Sequence, residues 1–127
     1  MKLVLRILLS LTLIAALIIG GGLFYLTRGL DAGAVLEINA VDLTKLNDGE
    51  YEGEYNGGRW TNKVKVTVAG NKIIEVNIEK DVAFAIPELS QKVIDAVLKN
   101  QNTKVDAVTG STVTSKAYLK AIENALK

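Results

Sequence analysis

The chain has 127 residues, 49% hydrophobic and 23% charged, with no Cys, no His and a formal net charge of +1. That length holds one compact domain. The missing Cys excludes disulfides, iron–sulfur clusters and c-type haem attachment, and the missing His excludes a Ser-His-Asp triad, the usual zinc sites and imidazole buffering near neutrality. The charge balance speaks against a nucleic-acid partner, so redox or group-transfer chemistry has to come from a bound cofactor.

The averages conceal two unlike segments. Residues 1–30 carry three positive charges and no negative one, and 20 of them are hydrophobic; the remaining 97 residues carry a net charge of −2. Ile7–Thr27 is an uncharged run of 21 residues. As a helix it is roughly 31 Å long, the thickness of a hydrocarbon core. Ser10 and Thr12 fit such a span because each hydroxyl can bond back to its own helix. Lys2 and Arg6 precede the run, so the positive-inside rule expects a cytoplasmic N-terminus and an extracytoplasmic remainder. The competing reading is a cleaved signal peptide ending near Ala32-Gly33-Ala34, but the apolar run exceeds the usual length of such a core. Residues 1–28 are therefore expected to be a single-pass anchor contacting membrane lipid through residues 7–27, and residues 29–46 a linker. The linker contains Val35, Leu36, Ile38, Val41, Leu43 and Leu46, so part of it is expected to pack on the domain of residues 47–127.

The domain opens with the turn Asp48-Gly49. Tyr51, Gly53 and Tyr55 alternate with Glu50, Glu52 and Glu54, the glutamates forming a solvated face. Val64, Val66 and Val68 then share one side of a second strand. Ala69-Gly70-Asn71-Lys72 makes a hairpin turn, and Ile74, Val76 and Ile78 alternate along a third strand. Three antiparallel strands with one apolar face follow. Pro87 suits the first turn of a helix running to about Asn100, with Leu89, Val93, Ala96 and Val97 inward. A last helix is expected from about Val113 to Leu126, burying Tyr118, Ala121, Ile122, Ala125 and Leu126. The fold class is α+β: a small antiparallel β-meander packed by two helices and preceded by one transmembrane helix. Trp60, Tyr51 and Tyr55 read as sheet residues. Phe84 reads as a core residue, with a place in a ligand pocket as the alternative.

Between the two helices lies Asp106-Ala107-Val108-Thr109-Gly110-Ser111-Thr112, followed by Val113-Thr114-Ser115. Five of the seven residues from Thr109 to Ser115 carry hydroxyls, and Gly110 permits close backbone approach or a positive φ. A helix start offers unpaired N–H groups and the positive end of the dipole, which together favour an anion such as phosphate. Ordinary N-capping by Ser or Thr explains the same residues, and physical argument alone leaves both readings open.

D-A-V-T-G-S-T at 106–112 resembles the flavinylation motif Asp-x-x-(Ser/Thr)-Gly-Ala-(Ser/Thr) of the FMN-binding domain family. That family includes flavin-carrying extracytoplasmic subunits of the Na⁺-translocating NADH:quinone reductase and of the Rnf complex. The resemblance extends from Asp48-Gly49-Glu50-Tyr51-Glu52-Gly53 through Ser90-Gln91-Lys92-Val93-Ile94 to Val113-Thr114-Ser115-Lys116 and Ala121-Ile122. It implies FMN as cofactor, esterified through its phosphate to Thr112 by a dedicated flavin transferase. Asp106, Val108, Thr109, Gly110, Ser111 and Val113 would form the surrounding cofactor segment. Ser111 stands where the family usually has Ala. The larger subunits have a Thr-Pro-Gly-type loop where this chain reads Asp81–Ile86, so contacts to the flavin ring do not carry over. The resemblance implies an electron carrier working with membrane-associated redox partners; no catalytic residue and no metal site are expected. The alternative is a non-redox extracytoplasmic interaction module that keeps the fold without flavin, pairing through its exposed sheet edge.

Overall fold

The computed structural model describes residues 1–108 and 110–127; the expectation for Thr109 lies outside the described residues. Helix α1, Lys2–Thr27, contains the apolar run, and none of its residues is buried. It is long and apolar enough to cross a membrane. The Ser10, Thr12 and Thr27 hydroxyls donate to the Ile7, Leu9 and Leu23 carbonyls at 2.8, 2.9 and 2.7 Å, removing their polarity from the helix surface. Gly29, at φ 85°, turns the chain into the short helix α2, Leu30–Ala34.

Residues 29–46 lie along the domain. Gly33 packs so closely on the last helix that an added Cβ would sit 2.6 Å from a Val113 methyl. The Asn39 N–H donates to Glu123 Oε1 at 2.6 Å, and Thr103 Oγ1 donates to the Asn39 carbonyl at 2.7 Å. Val41 and the Asn102 amide exchange two longer bonds of 3.3 Å. Ile38, Val41, Leu43 and Leu46 of this strap pack against the core.

The sheet is an antiparallel meander of β1 (Gly49–Tyr55), β2 (Asn62–Ala69) and β3 (Lys72–Lys80) in the order β1-β2-β3. Gly70 and Asn71 both take φ 59° between the paired residues Ala69 and Lys72, the two-residue turn that matches strand twist. In β2 the expected alternation holds, with Val64, Val66 and Val68 buried. In β3 it does not. Ile74 is 56% exposed and Ile73 takes the inward place beside Val76. The cause is a bulge: Val68 pairs with Ile73 and Thr67 with Glu75, leaving Ile74 as the extra residue. The outer face carries an ionic grid. Lys63 meets Glu52 and Glu79, and Lys65 meets Glu50 and Glu79, at 3.2–3.8 Å.

Helix α3 (Pro87–Asn100) buries Leu89, Ser90, Val93 and Val97. It ends at Gln101, which takes φ 53° and bonds both backbone groups of Ile73 through its amide. Helix α4 (Thr112–Leu126) lies on β1 and β2. At Gly53 the two backbones meet: a Cβ there would overlap the Ala121 carbonyl and the Ala125 amide. The five expected inward residues of α4 are buried, and so are Ser115, Ala117, Leu119 and Glu123. An amphipathic pattern exposes one face of such a helix. Here α2 and the strap cover that face, so α4 is enclosed on both sides.

Candidate functional site

The loop leading into α4 is tied from behind. The Ser111 N–H donates to the Val108 carbonyl at 2.9 Å, closing a turn around Gly110, which takes φ 82°. The Val108 N–H donates to the Oγ of buried Ser115 at 3.1 Å, and the Ser115 N–H returns to the Ser111 carbonyl at 2.9 Å. Serines 111 and 115 thus fix the loop to the first turn of the helix. Ser111 is the N-cap residue, yet its side chain makes no capping bond. The first three N–H groups of the helix, those of Thr112, Val113 and Thr114, have no intrahelical acceptor. Thr112 is exposed at the first helical position.

This helix start forms one wall of a cleft of about 520 Å³, a size typical of small-molecule sites. The opposite wall comes from the Gly58–Trp60 turn and from residues 82–86. Trp60, Val82 and Leu89 are buried at the base. The Trp60 indole N–H donates to Thr114 Oγ1 at 3.2 Å and joins the two walls. The Arg59 guanidinium lies 4.1 Å from the Trp60 ring centroid and 6.0 Å from that of Phe84. The Ala83 N–H donates to the Arg59 carbonyl at 2.8 Å, and the Tyr118 hydroxyl on α4 donates to Asp81, so the 81–86 segment is held at both sides. Burial, reinforced by the Asp81 carboxylate, pushes the Tyr118 phenol well above its ordinary value, so it remains a donor.

Gly110, Ser111, Thr112 and Val113 come together at the cleft. Val108 packs on the core behind it, and Asp106 is exposed on the loop away from the cleft lining. Two aromatic expectations change. Phe84 is 69% exposed on the rim instead of buried in the core, and its φ of 57° holds it there in a conformation that bulky residues rarely adopt. Trp60 lies in a tight turn at the base of the cleft instead of in a strand. Arg59, Val82, Ile86 and Leu89 also line the cleft. The sequence signal for Arg59 and Trp60 was the preceding Gly57-Gly58 pair, which marks a turn rather than a continuing strand.

The chain matches the family model of the FMN-binding domain over residues 55–127. It belongs to the FMN-binding domain family. No curated protein matches it as a relative. FMN is the cofactor that membership implies, and the donor set suits it. A phosphate needs donors without a competing carboxylate, and the open first turn of α4 provides them. A flat aromatic ring needs an apolar slot, and Trp60, Val82, Phe84, Ile86 and Leu89 provide one. As an FMN-binding domain the chain is a flavin-binding protein.

Proposed function

We propose that this FMN-binding domain is a membrane-anchored, extracytoplasmic electron carrier whose FMN is joined by a phosphoester to Thr112. The carrying observation is the exposed Thr112 hydroxyl at the first position of α4, on the rim of an apolar cleft and beside a helix start that Ser111 leaves uncapped. A flavin transferase would form the bond from Thr112 Oγ1 to phosphorus as the P–O–P anhydride bond of a flavin dinucleotide donor breaks; the departing nucleoside monophosphate takes the hydroxyl proton, and the chain gains FMN less one water. Gly110, with φ 82°, and Ser111 bring the backbone close to the phosphate, and the first-turn N–H groups stabilise its charge. Asp106 serves as part of the segment the transferase reads. Phe84, Ile86 and Trp60 exclude water from the ring, and Arg59 supplies a fixed positive charge beside it. When bound, FMN supplies reversible one- or two-electron transfer with membrane-associated redox partners, and the protein supplies position and tuning.

In this reading α1 spans the bilayer with Lys2 and Arg6 on the cytoplasmic side. Co-expression with a flavin transferase, export, and intact-mass measurement test the proposal. A gain of FMN less water, lost in Thr112→Ala and retained in Thr112→Ser, is the expected result. Absence of both a covalent and a bound yellow species overturns the carrier reading and favours the flavin-free module. An adduct that survives Thr112→Ala overturns the site. A C-terminal reporter that is active in the cytoplasm overturns the topology.

A further inference from the structure

We infer that the rim of the cleft, Phe84 and Ile86, inserts into the membrane–water boundary of the bilayer that α1 crosses, so that the cleft opens at the lipid surface. The inference rests on the anchor reading of α1 and adds where the site lies relative to the lipid.

The uncharged run from Ile7 to Thr27 spans about 31 Å as a helix, so its hydrocarbon-spanning part ends close to Leu26 and Thr27. Arg59 Nε donates to the Leu26 carbonyl at 3.2 Å, closing the C-terminal end of α1 with a cation. The same guanidinium lies 6.0 Å from the Phe84 ring centroid. One side chain therefore bridges the end of the membrane helix and the rim of the cleft. Leu30, three residues beyond α1, itself lines the cleft.

The connection is stiff. A Cβ on Gly29 would sit 2.7 Å from the Gly57 carbonyl oxygen, and one on Gly58 would overlap the Arg28 carbonyl. Backbone meets backbone at both points, so the domain is seated on the end of α1 and its reach does not depend on a loose tether. Phe84 and Ile86 are 69% and 55% exposed, and the Arg59 link would set Phe84 near the level where the chain leaves the hydrocarbon. Arg59 beside Phe84 provides the cationic partner for anionic headgroups. An exposed aromatic beside an arginine suits the interfacial zone, where ring and charge are both accommodated. The positive φ of Phe84 adds an independent mark, since backbone strain of this kind clusters at functional positions.

The absence of Cys makes the test direct. Full-length Phe84→Cys, Ile86→Cys and Lys72→Cys are each labelled with a bimane fluorophore. They are reconstituted into phosphatidylcholine–phosphatidylglycerol vesicles with and without headgroup-nitroxide lipid. Lys72 is in the hairpin at the far end of β2, about 23 Å along the strand from Asn62. Quenching several-fold stronger at positions 84 and 86 than at 72 is expected. Equal quenching at all three positions, or none at 84 and 86 while the protein floats with the vesicles after carbonate washing, overturns the lipid-facing rim and leaves the anchor intact. Disulfide linkage of two copies of unlabelled Phe84→Cys under added copper–phenanthroline oxidant, with no lipid quenching of the labelled protein, assigns the rim to a second copy and likewise overturns it. Failure to float after carbonate washing overturns the anchor and the rim together.

Discussion

Phe84 offers a sign test of the strained-rim argument. Its φ of 57° lies in the left-handed region, which costs an L-residue about 1–2 kcal/mol. Its ring is 69% exposed, so truncation removes little burial. Phe84→Ala removes the ring and keeps the strain. Phe84→Gly removes both, at an entropic cost of about 0.5–1 kcal/mol for the freer unfolded chain. The glycine variant should therefore be more stable than the alanine variant by about 0.5–1 kcal/mol, where an ordinary backbone position gives the opposite order by a similar amount. For a domain of this size the difference is about 2–8 °C in Tm. Trp60 is the chain's one tryptophan and is buried at the base of the cleft, so its fluorescence reports unfolding of the domain without interference from α1. Thermal melts of the two variants in detergent, followed at Trp60, decide the matter. An alanine variant as stable as the glycine variant, or more so, refutes the claim that position 84 stores strain.

Gly53→Ala drives a methyl into the Ala121 carbonyl and the Ala125 amide and should cost about 2–3 kcal/mol by urea denaturation, since α4 must lift from β1. Removing the Trp60–Thr114 bond by Thr114→Val should cost about 1 kcal/mol; Trp60→Phe should cost more, because it also leaves space in a buried site, and Thr114→Val should add little on top of it in a double-mutant cycle. At Glu123 burial works to raise the pKa, but Lys120 and the Asn39 N–H together outweigh it and hold the carboxyl below its usual value. A group depressed on folding stabilises above its unfolded value of 4.5, and that contribution disappears as pH falls through the folded value. Urea midpoints of the parent protein should therefore drop on acidification below pH 4.5 more steeply than those of Glu123→Gln.

The sequence by itself determined the order of elements, because hydrophobic period is a local property. The alternation at Val64, Val66 and Val68 and the helical spacing at Leu89, Val93 and Val97 survive intact in the fold. The loop–helix junction at Gly110–Thr112 was legible for the same reason: a motif and a helix start are both short-range features. What the tertiary structure decided depends on contacts distant in sequence. The β3 bulge exchanges Ile73 for Ile74, and a pattern with several adjacent apolar residues does not say which one is extra. Glu123 and Leu119 are buried because residues 30–41 return across α4, some 80 positions away in the chain. The second wall of the cleft joins Arg59 and Trp60 to Phe84 and Ile86 across two strands, so neither pair announces the other. Composition shows a chain without Cys or His, one that needs a cofactor for redox chemistry. Only the fold shows that its one conspicuous hydroxyl motif faces an apolar slot seated on the end of an apolar helix.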